Sequence, residues 1–315
     1  MTEPVQILLA TYQGERYLPD LLESLLRLEP GTPWHLLWRD DTSADATPAL
    51  LAAFAERHGR ASRLPEEGAR RLGATGSFMA LLRGAPEDAP GYAFCDQDDV
   101  WLPHKLARAL ERLRALPADR PALYCGRQKL VDATLGDLGL SPRPLRPLGL
   151  RNALVQNVVT GCTAVLNPAA RRLMLAAPPP PQGALHDWWC YLVVSAAGGT
   201  VIFDEEPGLL YRQHGGNMVG SQGSLAARAR AAARRGPARF MNLMAAHIAA
   251  LEGAPQTPEA RRVLGLLREM PAQSAPARLW RLWRAGLYRQ GVVENLALWA
   301  WVLACRPAVP GQERD

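Results

Sequence analysis

At 315 residues and 34.4 kDa the chain can bury a full core, and its 48% hydrophobic and 21% charged content excludes a disordered protein. Five cysteines, an odd number without close metal-type spacing, exclude a disulfide framework and point to a reducing compartment. The net charge of +6 lies in the tail: residues 221–315 hold fourteen Arg against six Asp or Glu, a net +8, leaving 1–220 near −2, so no nucleic-acid partner is expected.

The start, "MTEPVQILLATYQ", has no basic leader region, so no secretory signal is expected. "VQILLA" (5–10) reads as a buried strand, followed by an amphipathic helix in "RYLPDLLESLLRL" with Leu18, Leu21, Leu22, Leu25 and Leu26 on its apolar side. "WHLLWRD" (34–40) is a second strand, and "TSADATPALLAAFAERHG" a second helix, with Ser43 or Asp45 as N-cap and Gly59 as its stop. A helix begins near Gly73, and "GYAFC" (91–95) is a strand that delivers three aspartates. Pro103 opens a helix through "PHKLARALERLRAL". "ALYCGRQKLVD" reads as one strand, "LGLSPRPLRPLGLRN" as a proline-rich loop covering a site, and "NVVTGCTAVLN" as another strand. "PAARRLMLAA" and "HDWWCYLVVSAAGG" are helices; "TVIFD" and "GLLYRQHGGN" are strands, the latter entering a glycine turn. This alternation predicts an α/β layer on a mostly parallel sheet over about 215 residues. Strand signals stop near Ser221, where we expect a boundary between a catalytic domain (1–221) and a basic helical extension (222–315).

Ligands of open parallel sheets bind beyond the carboxyl ends of the strands. Three such ends carry polar clusters: "TYQGER", "RDDTSAD" and "CDQDD". Clustered carboxylates at a strand tip suit a hard divalent cation, Mg2+ or Mn2+, whose shell a diphosphate can complete. Asp40 and Asp41 also have a plainer role as caps of the helix behind them, and Asp99 as a cap of the helix near Pro103, which ranks it below Asp96 and Asp98 as a ligand.

Seven motifs in order, "LLATYQGERYLPDLLESLL", "RDDTSADAT", "GATGSFMALL", "AFCDQDDVWLPHKL", "NVVTGCTAVLN", "HDWW" and "LYRQHGGN", resemble the inverting family-2 glycosyltransferases of GT-A fold, in their bacterial rhamnosyltransferase-like branch, over about residues 5–220. The resemblance implies a nucleotide-sugar donor, dTDP-L-rhamnose or a UDP-sugar, and a glycan or polyprenyl-linked acceptor used in building bacterial surface polysaccharide. It implies that Thr11, Tyr12 and Asp41 hold base and ribose, that Asp98 ligates the metal with Asp96 as its companion, and that Asp187 is the general base. Arg212 and His214 would then lie on the diphosphate side, His214 as a metal ligand or as the closure of the turn at Gly215–Gly216. Three positions depart from the family pattern: Thr42 for the glycine of "DDGS", Gln13 for the asparagine of "TYN", and Arg71 where an asparagine is usual. An arginine near a diphosphate is productive, so the departures read as retuned donor preference. Of Trp188 and Trp189, one is expected in the core and one at the pocket.

In the tail, "APARLWRLWRAGLYRQG" drawn as a helix puts Leu279, Trp280, Leu282, Trp283 and Leu287 on one side and Arg278, Arg281, Arg284 and Arg289 on the other. Such a face suits an anionic membrane surface, and "NLALWAWVLAC" is too short to span one at about half the ~20 residues required. The expectation is a cytoplasmic protein, peripheral on the inner face of the cell membrane. The competing reading packs this face on the catalytic domain or a second subunit, as a homodimer. Two further functions compete with glycosyl transfer: a catalytically silent sugar-nucleotide-binding scaffold subunit, and nucleotidyl transfer, which requires "TYQGER" to act as a phosphate-cradling loop.

Overall fold

The computed structural model describes residues 3–65, 70–214, 225–270 and 273–304, with the backbone alone for 225–236. Its elements in order are β1 (Val5–Thr11), α1 (Leu18–Leu26), β2 (Trp34–Asp40), α2 (Thr47–His58), β3 (Ala61–Arg63), α3 (Gly73–Gly84), β4 (Tyr92–Cys95), β5 (Val100–Trp101), α4 (Lys105–Arg114), β6 (Ala122–Gly126), β7 (Lys129–Val131), β8 (Asp137–Leu140), α5 (Leu150–Ala153), β9 (Val165–Leu166), α6 (Pro168–Ala176), α7 (His186–Ala196), β10 (Thr200–Asp204), β11 (Leu209–Arg212), α8 (Leu225–Leu251), α9 (Pro258–Leu267), α10 (Ala275–Ala285) and α11 (Val292–Ala304).

The main sheet runs β10-β6-β9-β4-β1-β2-β3, all parallel except β9, which is antiparallel to both neighbours. The chain starts at β1, moves outward through β2 and β3, then returns to β4 on the other side of β1. That reversal opens a crevice between the ends of β1 and β4, where a parallel sheet offers its ligand site. Pairing of Thr11 with Asp40 and of Leu9 with Cys95 brings "TYQ", "DDTS" and "DQDD" to one edge. β1 is buried along both faces, which is why it reads as a continuous apolar run.

A second sheet, β5-β11-β7-β8, stands against that edge. The single strand expected over 122–132 is therefore two, β6 in the main sheet and β7 in the small one, divided after Gly126. The strand expected over 157–167 shrinks to β9, preceded by a 3-10 turn at Gly161–Thr163. The proline-rich loop contains β8 and α5, and α5 packs on α7 rather than covering the cleft. Leu18, Leu21, Leu22 and Leu25 are buried as expected, but Leu26 is exposed. Gly59 ends α2 in the left-handed region, yet neither Ser43 nor Asp45 is its N-cap: that position is Ala46, with no side-chain cap.

The division expected near Ser221 lies outside the described residues. On its far side the core does not break. Met241, Met244 and Ile248 of α8, Leu264 of α9, Leu282 of α10 and Leu298 of α11 join the cluster that holds Trp189, Leu192 and Val193 of α7. The apolar arc of α10 is not the one expected: Arg278, Leu282 and Ala285 are buried, while Trp280 and Trp283 face outward. Arg278 survives burial because its guanidinium donates to the carbonyls of Gln273, Val302 and Leu303, fastening α10 to the end of α11.

Candidate active site

A cleft of about 480 Å3 opens at the crevice and is lined by Thr11, Tyr12, Asp41, Arg71, Asp96, Asp98 and Asp187 among others. Seven of the nine residues singled out from the sequence thus face one cavity. Asp98 and Asp187, 89 positions apart, share its wall.

Asp187 sits in the first turn of α7, with its side chain buried. Oδ1 accepts from Asn157 Nδ2 (3.1 Å) and from the Trp188 amide (2.6 Å), and Oδ2 accepts from the Gly161 amide at 2.9 Å. A carboxylate offers about four lone-pair positions, and these three donors fix the orientation of this one. Burial pushes its pKa up to about 6 against the pull of those donors, which suits a base working near neutrality. Gly161 is required by the close approach: a Cβ there would stand 2.7 Å from His186 Nε2.

Asp96 is half-buried, and burial, with the charges of Asp98 and Asp187, pushes its pKa up to about 7. Asp99 is wholly buried and driven well up by burial and the charges of Asp98 and Asp96; its Oδ1 accepts from the Arg212 amide (3.3 Å), and among the described residues no nitrogen or oxygen donor reaches its Oδ2. It does not cap α4, which starts six residues later. Oxygens of Asp96 and Asp99 and the Cys162 sulfur lie within 4.8 Å of one another. Burial raises the Cys162 thiol well above its usual range, so it is a poor donor for a hard ion, and the carboxylates of Asp96 and Asp98 are the better ligands. A crowd of carboxyls this hard to ionise together fits a divalent cation. His214 Nε2 stands 2.7 Å from Asp98 Oδ2. Gly215–Gly216, its alternative role, lies outside the described residues.

Arg212 is placed differently from expectation. It is 2% exposed and its guanidinium turns away from the cleft, donating to Asp20 Oδ2 (2.7 Å), the Ala133 carbonyl (2.7 Å) and the Asp98 carbonyl (3.0 Å), with the Tyr17 ring 4.5 Å off. β11 pairs with β5 and β7, and this buries Arg212 behind the aspartate loop. It holds the loop in place. Arg71 lines the cleft, with its guanidinium 4.2 Å over the Tyr12 ring and Nε 3.9 Å from Asp41. Asp41 itself accepts from Arg39, Leu72 and Gly73. Burial would raise its pKa, and these donors overcome that and lower it. Neither tryptophan of "HDWW" lines the cleft: Trp189 is core, and Trp188 donates to the Ala153 carbonyl. His186 takes that place, stacked 4.0 Å from Phe78 and, by burial, with its pKa lowered to about 3.

Two further residues escaped the sequence reading. Gln97 exchanges two hydrogen bonds of 2.9 Å with the Tyr12 backbone, clamping the β1 tip to the aspartate loop, and the missing side chain of Gly14 makes room for it. Lys105 is buried under the aspartates, donating to the Cys162 carbonyl at 2.6 Å. It occupies the apolar stripe of α4 with Leu106, Ala109, Leu110 and Leu113, and a lysine in such a stripe signals buried carboxylates nearby. Thr42, in place of glycine, takes a φ of 68°, the left-handed conformation that a glycine adopts without strain.

Residues 6–158 match the family model "Glycosyl transferase family 2". That segment belongs to the family. Among solved structures, S. aureus TarS 1–349 in complex with UDP-GlcNAc shares the fold of this chain with a TM-score of 0.58 at 12% identity, over 95% of this chain and 90% of that one. The mannosyltransferase PcManGT from Pyrobaculum calidifontis, in complex with GDP-Man and Mn2+, aligns with a TM-score of 0.52 at 18% identity, over 97% and 86%. The fold is therefore GT-A, as the motifs implied. Uncharacterized proteins of Mycobacterium tuberculosis and Mycobacterium bovis are 27% identical over 114 residues; the match covers 36% of this chain and 32% of theirs, about a third of the curated relatives' length.

Proposed function

We propose that this chain is an inverting glycosyltransferase that moves a sugar from a nucleoside-diphosphate donor to an acceptor hydroxyl. The observation that carries the reading is the shared cleft: paired carboxylates from the tip of β4 and a buried, pre-anchored Asp187 face the same space. In the step, the acceptor oxygen attacks the anomeric carbon while the bond to the phosphate oxygen breaks, and the hydroxyl proton passes to the carboxylate of Asp187. One displacement inverts the anomeric configuration. Asp96 and Asp98, with His214 beside them, would hold Mg2+ or Mn2+, and such an ion supplies charge neutralisation for the departing diphosphate. Tyr12, Arg71 and Asp41 form the base and ribose end. Sugar-nucleotide and Mn2+ complexes of the structural neighbours support this class of donor. The "CDQDD", "HDWW" and "YRQHGGN" motifs favour L-rhamnose on dTDP and a lipid-linked or polysaccharide acceptor at the inner face of the cell membrane.

Nucleotidyl transfer is disfavoured by the "TYQGER" loop. The amides of Gln13, Gly14 and Glu15 already donate to Ser43, Thr47 and Asp45, so none is presented to a triphosphate.

Thermal unfolding with dTDP-L-rhamnose or UDP-sugars tests the proposal. A ligand at a hundred times its Kd should stabilise by about 2.7 kcal/mol, a shift of several degrees, only with Mn2+ or Mg2+ present and not in Asp98→Ala. Failure of every nucleotide sugar to stabilise would overturn the reading. Stabilisation without transfer would point to the silent scaffold.

A further inference from the structure

The outer faces of α10 and α11 are apolar where a soluble surface should be polar. On α10, Trp280 is 55% and Trp283 67% exposed, three residues apart and so on one side of the helix. On α11, Leu296, Trp299 and Leu303 repeat at helical spacing and are likewise exposed, with Val292 and Val293 at the helix start. The two helices pack together and bury their opposite arcs, Arg278, Leu282 and Ala285 on α10 and Leu298 and Val302 on α11. Both stripes therefore point away from the body. Patches of this kind mark interaction sites.

Charge chooses among the occupants. Of the arginines of α10, Arg278 is buried against carbonyls and Arg281 pairs with Glu269 at 3.6 Å, while Arg284 is exposed one turn from Trp280. The surrounding segment, 221–315, has a net +8. In a two-fold dimer the same patch meets itself, so Arg284 would face a like-charged surface. Anionic headgroups complement it instead, and exposed tryptophans suit the headgroup boundary. No helix among the described residues is long and apolar enough to cross a bilayer.

The patch is also tied to the acceptor side of the cleft. Glu294, in the first turn of α11, accepts from Gln156 Nε2 at 3.0 Å, and the next residue, Asn157, donates to Asp187. We propose that the exposed stripes of α10 and α11 form a seat for an anionic bilayer, holding the protein with the Asp187 side of its cleft toward the lipid surface. The seat stands independently of the transferase reading. Its orientation toward a lipid-carried acceptor rests on that reading.

Flotation of the full-length protein with phosphatidylglycerol-containing vesicles, against pure phosphatidylcholine, tests the seat. Wild type should float with the anionic vesicles alone, and Trp280→Ser/Trp283→Ser should lower the bound fraction about tenfold with Tm unchanged. Leu296→Ser/Trp299→Ser, on the other helix, should act in the same direction. No flotation of wild type, or variants that float like it, would overturn the proposal. So would light scattering that finds a dimer which the substitutions dissociate. Flotation reads no chemistry, so its failure leaves the transferase reading standing.

Discussion

The edge of the main sheet and the C-terminal helices handle charge and apolar surface in opposite ways. At the sheet edge the carboxyls are crowded inward, and built-in donors hold several of them and their loop: Asn157 and Gly161 for Asp187, Arg39 for Asp41, and Arg212 for the aspartate loop, with Lys105 beneath. On α10 and α11 the tryptophans are left outside while an arginine, Arg278, is taken in. The edge spends folding energy to hold difficult charges ready, as a site for chemistry must. The helices spend it on attachment to α7 and keep a surface free.

If the edge is arranged for chemistry, small intrusions there should be costly. Gly161→Ala would push a methyl within 2.7 Å of His186 and shift the amide that orients Asp187. We expect transfer to fall about a hundredfold, a displacement of about 1 Å being enough, with nucleotide-sugar binding by calorimetry nearly intact. A loss of binding equal to the loss of rate would break the contrast.

The raised carboxyls at the edge give a second handle. Asp96 at about 7 and Asp187 at about 6 bind protons more tightly folded than unfolded, where the value is 3.8. Stability of the metal-free protein should therefore fall as pH rises through the window from 3.8 to about 7. Mn2+ should stabilise more at pH 8 than at pH 5, as seen in Tm. The kcat/KM profile should lose about tenfold per pH unit below about 6, where Asp187 is protonated. Equal Mn2+ stabilisation at both pH values would remove the cation from the aspartates.

The helices should show the converse. Arg278→Met deletes three donations to carbonyls at the junction of α10 and α11 and should cost about 2 kcal/mol by denaturant unfolding. Transfer to a soluble acceptor should stay within about twofold of wild type.

Legibility in the sequence followed the same division. β1, β2 and β4 were readable because each is a short apolar run ending in a polar cluster, and parallel pairing then puts those ends on one edge. That was enough to assemble the cleft. Residues 122–131 read as one strand because nothing in their pattern marks a change of sheet at Gly126. Arg212 was given the right neighbourhood and the wrong direction, since a strand's sequence does not say which side chain its neighbours enclose. Lys105 could have been found as a lysine inside an apolar helical stripe. In α10, tryptophan and leucine look alike on a helical wheel, and only the packing against α9 and α11 decides that the buried arc runs through Arg278.

Asp187→Asn is the most direct measurement, because asparagine keeps the size of the side chain and removes its capacity as a base. With donor binding followed by calorimetry and transfer by product formation, binding should remain within about twofold while the rate falls by a factor of at least about a thousand. Transfer near the wild-type rate in that variant would contradict the assignment of the proton to Asp187.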